Sequence, residues 1–207
     1  MYVRIALLVA ALIVLGPLRR RLVASLFGKS IGQAALAKQP DSIRLQRCEP
    51  SSLKHADKVD ALAREYRDQR FEDVGAYSVP ELKGMQLRLL ANPHESMYGA
   101  IYDHPNAGVW CDVVNRYADG SAWTFTTAKP TGITPLSNVR MVNAPGSTPS
   151  QLIEQARSTR PGLGLRSATT ASAVADFERA YGEYIAALKQ RGLSTGEVVK
   201  VAGQKAA

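Results

Sequence analysis

Between residues 71 and 144, short segments of alternating apolar and polar residues follow one another with only tight turns between them. Two of those turns, "HPNAG" and "ADG", have the residues that short β-hairpins favour. The connections leave no room for crossover helices, so the pattern predicts an antiparallel meander of five or six strands. The predicted strands are 71–79, 85–91, 97–103, 109–117 and 121–127, with 138–144 as a sixth. The alternating stretch 42–48 is typical of a short edge strand.

Helical patterns lie on both sides of this strand region. Apolar residues recur at helical spacing over 52–70, with Ser51 or Ser52 in the position of an N-cap. A longer stripe runs over 171–190 and is ended by Gly192.

Two capping boxes mark further helix starts. Thr148 and Gln151, with Pro149 between them, predict one helix, and Ser194 with Glu197 predicts a short terminal helix. The order of elements predicts an α+β fold: a helix, the antiparallel meander, and then C-terminal helices packed on one face of the sheet.

The N-terminus carries a different signal. Residues 2–18 are apolar except for Arg4, and Arg19, Arg20 and Arg21 follow directly. Seventeen helical residues span about 26 Å, close to the ~30 Å hydrocarbon core of a bilayer. A cleaved signal peptide is the alternative, but the three arginines stand where a cleavage site needs small neutral residues. The segment therefore predicts a single-pass transmembrane helix.

Charge around this segment predicts its orientation. Five basic residues lie between positions 19 and 38 and one lies before the apolar run, which places the following domain in the cytoplasm, with the periplasm as the alternative. We therefore expect an inner-membrane protein with an anchor and basic flank at 1–27, a tether at 28–40 and a soluble α+β domain at 41–207.

The remaining charge is nearly balanced. The whole chain has 26 basic and 18 acidic side chains. Residues 1–40 hold six of the basic side chains and no acid, which leaves 20 against 18 for the rest. This balance gives no basic stripe for a nucleic-acid partner. The spacing of His and Cys fits no metal site and no cofactor motif is present, so we expect neither. Cys48 and Cys111 are either two free thiols or, in an oxidising compartment, one disulfide.

The predicted strand 109–117 holds the candidate binding residues. Asp112 lies in the middle of this strand, where Asp is disfavoured, and shares its face with Trp110 and Arg116. Pairing with the preceding strand adds Tyr98 and Tyr102 to that face. Trp123 joins them if "DG" forms a two-residue turn, but it moves to the opposite face with Cys111 if "ADG" forms a three-residue turn. Both registers remain open at this stage.

Catalytic alternatives are weaker. Asp103, His104 and Asp112 are the residues an enzyme would use, but "DHPNAG" is also an ordinary turn and Cys111 faces an apolar neighbour. We therefore assign no catalytic residue. The sequence favours a membrane-tethered, non-catalytic accessory domain with a protein partner at the membrane. The alternatives are a small-molecule or lipid-binding domain that uses the aromatic sheet face, and a hydrolase-like enzyme.

The anchor hypothesis makes the first testable prediction. The full chain should sediment with membranes and stay there after alkaline carbonate washing, because residues 2–18 span the bilayer. Replacing Leu8 and Ile13 together by Arg should release the protein, since buried charge opposes insertion. Recovery of the unaltered chain in the carbonate supernatant would contradict the anchor.

Overall fold

The computed structural model describes residue 30 and residues 32–204, with side chains up to residue 201. The predicted transmembrane segment 2–18 and the flanking residues Arg19, Arg20 and Arg21 lie outside this part of the chain. Within the described residues, no helix has both the length and the apolar character that a membrane crossing requires. Residues 32–37, in the predicted tether, are helical.

The chain divides into two compact units. The larger comprises Pro40–Lys129 and Pro135–Ile185, and its described residues contain the whole sheet. The described part of the smaller unit comprises residue 30 and residues 32–39, 130–134 and 186–204.

In the described residues the sheet has seven strands, and their order in the sheet is their order in the sequence. They are β1 Gln46–Cys48, β2 Glu72–Ser78, β3 Gln86–Asn92, β4 Met97–His104, β5 Gly108–Arg116, β6 Ala122–Thr126 and β7 Val139–Asn143. The α+β class and the antiparallel pairing of β1 to β6 confirm the expectation from the sequence.

Two details of that expectation are wrong. The sheet contains seven strands and not five or six, because the 42–48 stretch contributes β1 in addition to the six later segments. The last pair, β6 and β7, is parallel. A parallel pair needs a connection of about a dozen residues or more, and residues 127–138 supply that length without forming a helix.

Besides helical residues 32–37, the described part of the chain contains four α-helices. They are α1 Ala56–Asp68, α2 Pro149–Thr159, α3 Thr170–Arg191 and α4 Thr195–Gln204. The predicted capping box of Thr148 and Gln151 is present at the start of α2. Gly192 follows the end of α3 with a φ of 72°, in the left-handed region that glycine adopts freely.

The start of α1 differs from the prediction. Ser51 and Ser52 lie in a 3-10 turn, Pro50–Ser52, and the residue at the N-cap position is His55. The hydroxyl of Ser52 donates a hydrogen bond to the carbonyl of Glu49 at 2.6 Å. It is therefore engaged within its own turn, and the helix begins one turn later.

Helices pack on both faces of the sheet, so the expectation of helices on a single face is wrong. On one face, Leu152 and Ile153 of α2 and Val59 of α1 share a core with Ile101 and Phe125; we call this the α1–α2 face. On the other, Phe177 of α3 packs with a core that includes Leu87, Leu89 and Ala100; we call this the α3 face. Strand β3 is buried on both sides along nearly its whole length, as expected for a sheet that has helices on both faces.

Tyr66 of α1 holds the helix to the centre of the sheet. Its side chain is fully buried, and its hydroxyl donates a hydrogen bond to the backbone carbonyl of Asp112 at 2.8 Å. Its ring lies over Gly99 of β4 and meets the ring of Phe71 edge-on, with 5.1 Å between centroids. One side chain thus ties α1 to both β4 and β5.

Glu197 organises the smaller unit. Its carboxylate accepts hydrogen bonds from the backbone amides of Ser194 and Thr134, each at 2.8 Å, and pairs with Arg191 at 2.8 Å. Burial would raise the pKa of this carboxyl, but the amide hydrogen bonds and Arg191 outweigh it and lower the pKa to about 2. The Ser194–Glu197 capping box predicted from the sequence is confirmed.

The contact between Tyr66 and Gly99 gives the second prediction. A Cβ at position 99 would lie 2.7 Å from Cε1 of Tyr66, so Gly99→Ala should lower the free energy of unfolding by about 1–3 kcal/mol through overpacking. Denaturant unfolding followed by tryptophan fluorescence measures this, since both tryptophans lie in the sheet. Gly162→Ala is the matched control, because no atom lies within 4 Å of a Cβ built there. Equal stability changes in the two variants would contradict the role of this contact.

Candidate functional site

The register between β4 and β5 agrees with the pairing expected from the sequence. Asp103 lies opposite Val109, and Cys111 lies opposite Ile101. Tyr102 therefore pairs with Trp110, and Ala100 pairs with Asp112. Because alternate residues of a strand point to opposite faces, Tyr98, Tyr102, Trp110, Asp112 and Arg116 all belong to the α3 face.

The register between β5 and β6 decides the position of Trp123. Arg116 pairs with Ala122 and Asp112 pairs with Thr126, so Trp123 lies opposite Asn115 on the α1–α2 face. The two-residue-turn alternative, which would have placed Trp123 on the same face as Trp110, is therefore wrong. The guanidinium of Arg140 lies over the Trp123 ring, 4.7 Å from its centroid.

The turn explains this register. The amide of Tyr117 donates to the carbonyl of Ser121 at 3.0 Å, and the carboxylate of Asp119 accepts a hydrogen bond from the Ser121 amide at 2.8 Å. Gly120 has a φ of 81°. These bonds close a loop longer than the two-residue turn, and the extra length shifts β6 by one residue.

On β5 the two faces differ in exposure. Cys111, Val113 and Asn115 on the α1–α2 face are buried, whereas Trp110 and Asp112 on the α3 face are partly exposed. The side chains of β5 on the α1–α2 face are therefore part of the core, and those on the α3 face are partly accessible to solvent.

Four residues of the α3 face form what we call the aspartate patch: Tyr102, Trp110, Asp112 and Thr126. The rings of Tyr102 and Trp110 are stacked, with 4.9 Å between centroids and 10° between planes. Phe177 of α3 lies on Tyr102 as well, at 6.2 Å. The patch is thus an acid and a hydroxyl beside two stacked aromatic rings.

Asp112 is the electrostatic centre of the patch. Its Oδ1 is closed to solvent and has no hydrogen-bond partner among the described residues. Burial raises the pKa of this carboxyl to about 6, while the hydroxyls of Thr126 and Tyr102 act in the opposite direction. Burial, and then the charge of Asp112, raise the pKa of Tyr102 well above its ordinary value. Near neutral pH the patch therefore holds a negative charge, and the hydroxyls that act on it are neutral.

Tyr98 and Arg116 are turned toward α3. The Tyr98 hydroxyl donates to Oδ2 of Asp176 at 2.5 Å and lies 2.7 Å from the Ser172 hydroxyl. Asp176 also pairs with Arg179 of the same helix. Burial would raise the pKa of Asp176, but the Tyr98 hydrogen bond and the nearby arginines lower it. These two predicted site residues therefore belong mainly to the packing of α3 on the sheet.

A buried acid–histidine pair was not anticipated from the sequence. Asp103 is fully buried on the α1–α2 face and accepts hydrogen bonds from the backbone amide of His55 at 2.8 Å and from its ring Nδ1 at 2.6 Å. His55 is the residue before α1, so Asp103 holds the start of that helix to the end of β4. The sequence signal was weak, since the two residues are far apart in the chain.

The other candidate catalytic residues have structural partners. His104 accepts hydrogen bonds through Nδ1 from the amides of Asn106 and Ala107, at 3.2 and 3.1 Å, and so stabilises its own turn. Cys111 is a free, buried thiol, and burial raises its pKa to about 11. A thiol with this pKa is a poor nucleophile at neutral pH. Cys48 is also a free thiol and is half-buried.

Comparison with known proteins adds no assignment. The sequence matches no protein-family model, and no curated protein or solved structure is significantly similar to it.

The buried carboxyl of Asp112 gives the third prediction. A pKa raised from 3.8 to about 6 means that the folded state favours the protonated acid. This contribution to stability is fully present below pH 3.8 and is lost as the pH rises to about 6. At about 1.4 kcal/mol per pKa unit, Asp112→Asn should raise the free energy of unfolding at pH 7 by up to about 3 kcal/mol. Denaturant unfolding across pH 4–8 measures this.

The control for this variant is Asp119→Asn. Asp119 lies in the turn of the same hairpin and is exposed, and an Asn there can still accept the Ser121 hydrogen bond. It should leave the pH dependence between 4 and 6 unchanged. A wild-type pH profile that Asp112→Asn does not alter would show that the acid is well compensated.

Proposed function

We propose that this protein is a membrane-tethered, non-catalytic binding domain that takes a small ligand on the aspartate patch. The observation that supports this best is the unpartnered Oδ1 of Asp112 beside the stacked rings of Tyr102 and Trp110. An unpartnered buried carboxyl oxygen costs stability. Sites that bind ligands commonly carry such a cost, and the partly exposed parts of Asp112 and Trp110 are what a ligand can reach.

The partners of the candidate catalytic residues support a binding role over an enzymatic one. Asp103 is held by His55 on the α1–α2 face, while Asp112 lies on the α3 face. His104 is engaged by its own turn. The three residues that an enzyme would need thus lie in different environments, and we propose no reaction for them.

The membrane part of the proposal comes from the sequence. The apolar run 2–18 and the arginines at 19–21 are typical of a retained single-pass anchor. The excess of basic residues after this run over those before it favours a cytoplasmic domain.

A protein partner at the membrane is the second candidate function, and one loop favours it. Leu163 is 90 % exposed, an unusual exposure for leucine. Its loop is nevertheless held to the sheet region, because the Gly164 carbonyl accepts a hydrogen bond from Ala118 at 2.8 Å and the Pro161 carbonyl accepts one from Tyr117 at 3.0 Å. A firmly held loop that presents an apolar side chain is suited to contact a partner.

Site-specific photo-crosslinking in cells tests both candidates and is the fourth prediction. A photoreactive amino acid at Val114, which is on the α3 face and partly exposed, should give an adduct of small-molecule mass. The same amino acid at Leu163 should give a protein-sized adduct if the second candidate holds.

The matched control is Lys58, which is exposed on α1 and should give neither adduct. An adduct at position 114 that disappears in the Asp112→Asn variant supports ligand binding on the patch. Equal labelling at 58, 114 and 163, or no adduct at 114 and 163, would contradict both functions.

A further inference from the structure

We infer that the ligand of the aspartate patch is an organic ammonium ion, a primary or methylated amine in its charged form. This inference rests on the proposed function, and it names the chemical class of the ligand for the same site.

The charge of Asp112 favours a cationic ligand. The described side chains that act on the Asp112 carboxyl are the hydroxyls of Thr126 and Tyr102, which are neutral. The cation on this face of β5, Arg116, lies near the charged residues Asp176, Arg179 and Glu183 of α3, and it is not among the groups that act on the Asp112 carboxyl. The negative charge of Asp112 thus lacks a cation of its own, and a positively charged ligand would supply one.

The aromatic rings beside Asp112 also favour a cation. A cation near the face of a tryptophan or tyrosine ring is attracted by the ring quadrupole, and the attraction grows when water is excluded. On the opposite face of this sheet, Arg140 lies over Trp123 in this way. Trp110 is partly exposed and lies two residues from Asp112 on the same strand. A ligand that meets both residues gains an ion pair and a cation–π contact together.

The surroundings of Asp112 suit an ammonium ion better than other cations. A metal ion needs several oxygen or nitrogen ligands in a defined geometry. The described groups that act on Asp112 are the phenol of Tyr102 and the alcohol of Thr126, which are poor metal ligands. A guanidinium offers a planar fork that suits two free carboxylate oxygens, but Oδ1 of Asp112 is closed to solvent, so a ligand can reach one oxygen at most. A compact ammonium group fits a single oxygen next to aromatic rings.

The test uses the full chain in a non-ionic detergent, labelled with 5-fluorotryptophan. The chain has two tryptophans, one on each face of the sheet, so the ¹⁹F spectrum contains the site reporter Trp110 and an internal control, Trp123. The probes are n-butylammonium, n-butanol and butyrate, which have nearly the same size and differ in charge. Tetramethylammonium is the methylated probe.

We expect n-butylammonium or tetramethylammonium to shift the Trp110 resonance in a saturable way while the Trp123 resonance stays constant. Asp112→Asn should weaken this binding by about tenfold or more, since a hydrogen-bonded charge pair is lost. Asp119→Asn should leave it unchanged. The Asp112→Asn protein is expected to be folded, and its unchanged Trp123 resonance verifies this.

The failure of this inference differs from the failure of the proposed function. If butanol or butyrate shifts Trp110 as strongly as the cations, the patch binds ligands but not by charge, and the ammonium assignment is wrong. If neither cation shifts Trp110 and the crosslinker at position 114 still captures a small molecule, the assignment is also wrong. If no probe shifts Trp110 and that crosslinker captures nothing, the proposed binding function and the inference are both wrong.

Discussion

The hydrogen bond from Tyr66 to the backbone of Asp112 connects the best-packed part of the molecule to its most unusual residue. Tyr66 lies over Gly99, where a Cβ would come within 2.7 Å of the ring and force it to shift. Through this contact α1 is fixed against β4 and β5 together. The backbone of Asp112 is therefore held from the α1–α2 face, while its side chain points to the α3 face.

The two sides of β5 therefore have different roles: one stabilises the fold and the other carries the candidate site. The α1–α2 side of β5 is buried with Phe125 and the α2 residues Leu152 and Ile153, and burial of this kind supplies most of the free energy of folding. The α3 side is partly exposed and carries an acid whose charge is poorly compensated. A well-packed opposite face can offset the cost of such an acid, which is how a small domain can hold a polar site without unfolding.

Much of the fold was predictable from local pattern. The strands β2 to β7 and the helices α2 to α4 lie close to the expected positions, because alternation, capping boxes and Gly192 act through neighbouring residues. The start of α1 was not predictable in the same way. Ser52 has the side chain of a good N-cap, but its hydroxyl bonds to Glu49. The helix start is held instead by Asp103, a residue 48 positions from His55.

The candidate site shows the same limit. The pairing of β4 with β5 follows from the turn at "HPNAG", so the common face of Tyr102, Trp110 and Asp112 could be predicted. The position of Trp123 could not, since one extra residue in the "ADG" turn moves it to the other face. The parallel pairing of β7 and the nearness of Arg116 to the charged side chains of α3 also depend on contacts between distant segments.

The sequence by itself determined an α+β chain with an antiparallel sheet and an acid in the middle of an aromatic strand, because periodicity and turn chemistry are local. Only the tertiary structure decided that helices cover both faces, that Trp123 lies on the face opposite the candidate site, and that Asp112 has an unpartnered oxygen. Those properties come from register and from side chains that meet across the sheet. Their energies depend on burial, which no stretch of sequence specifies alone.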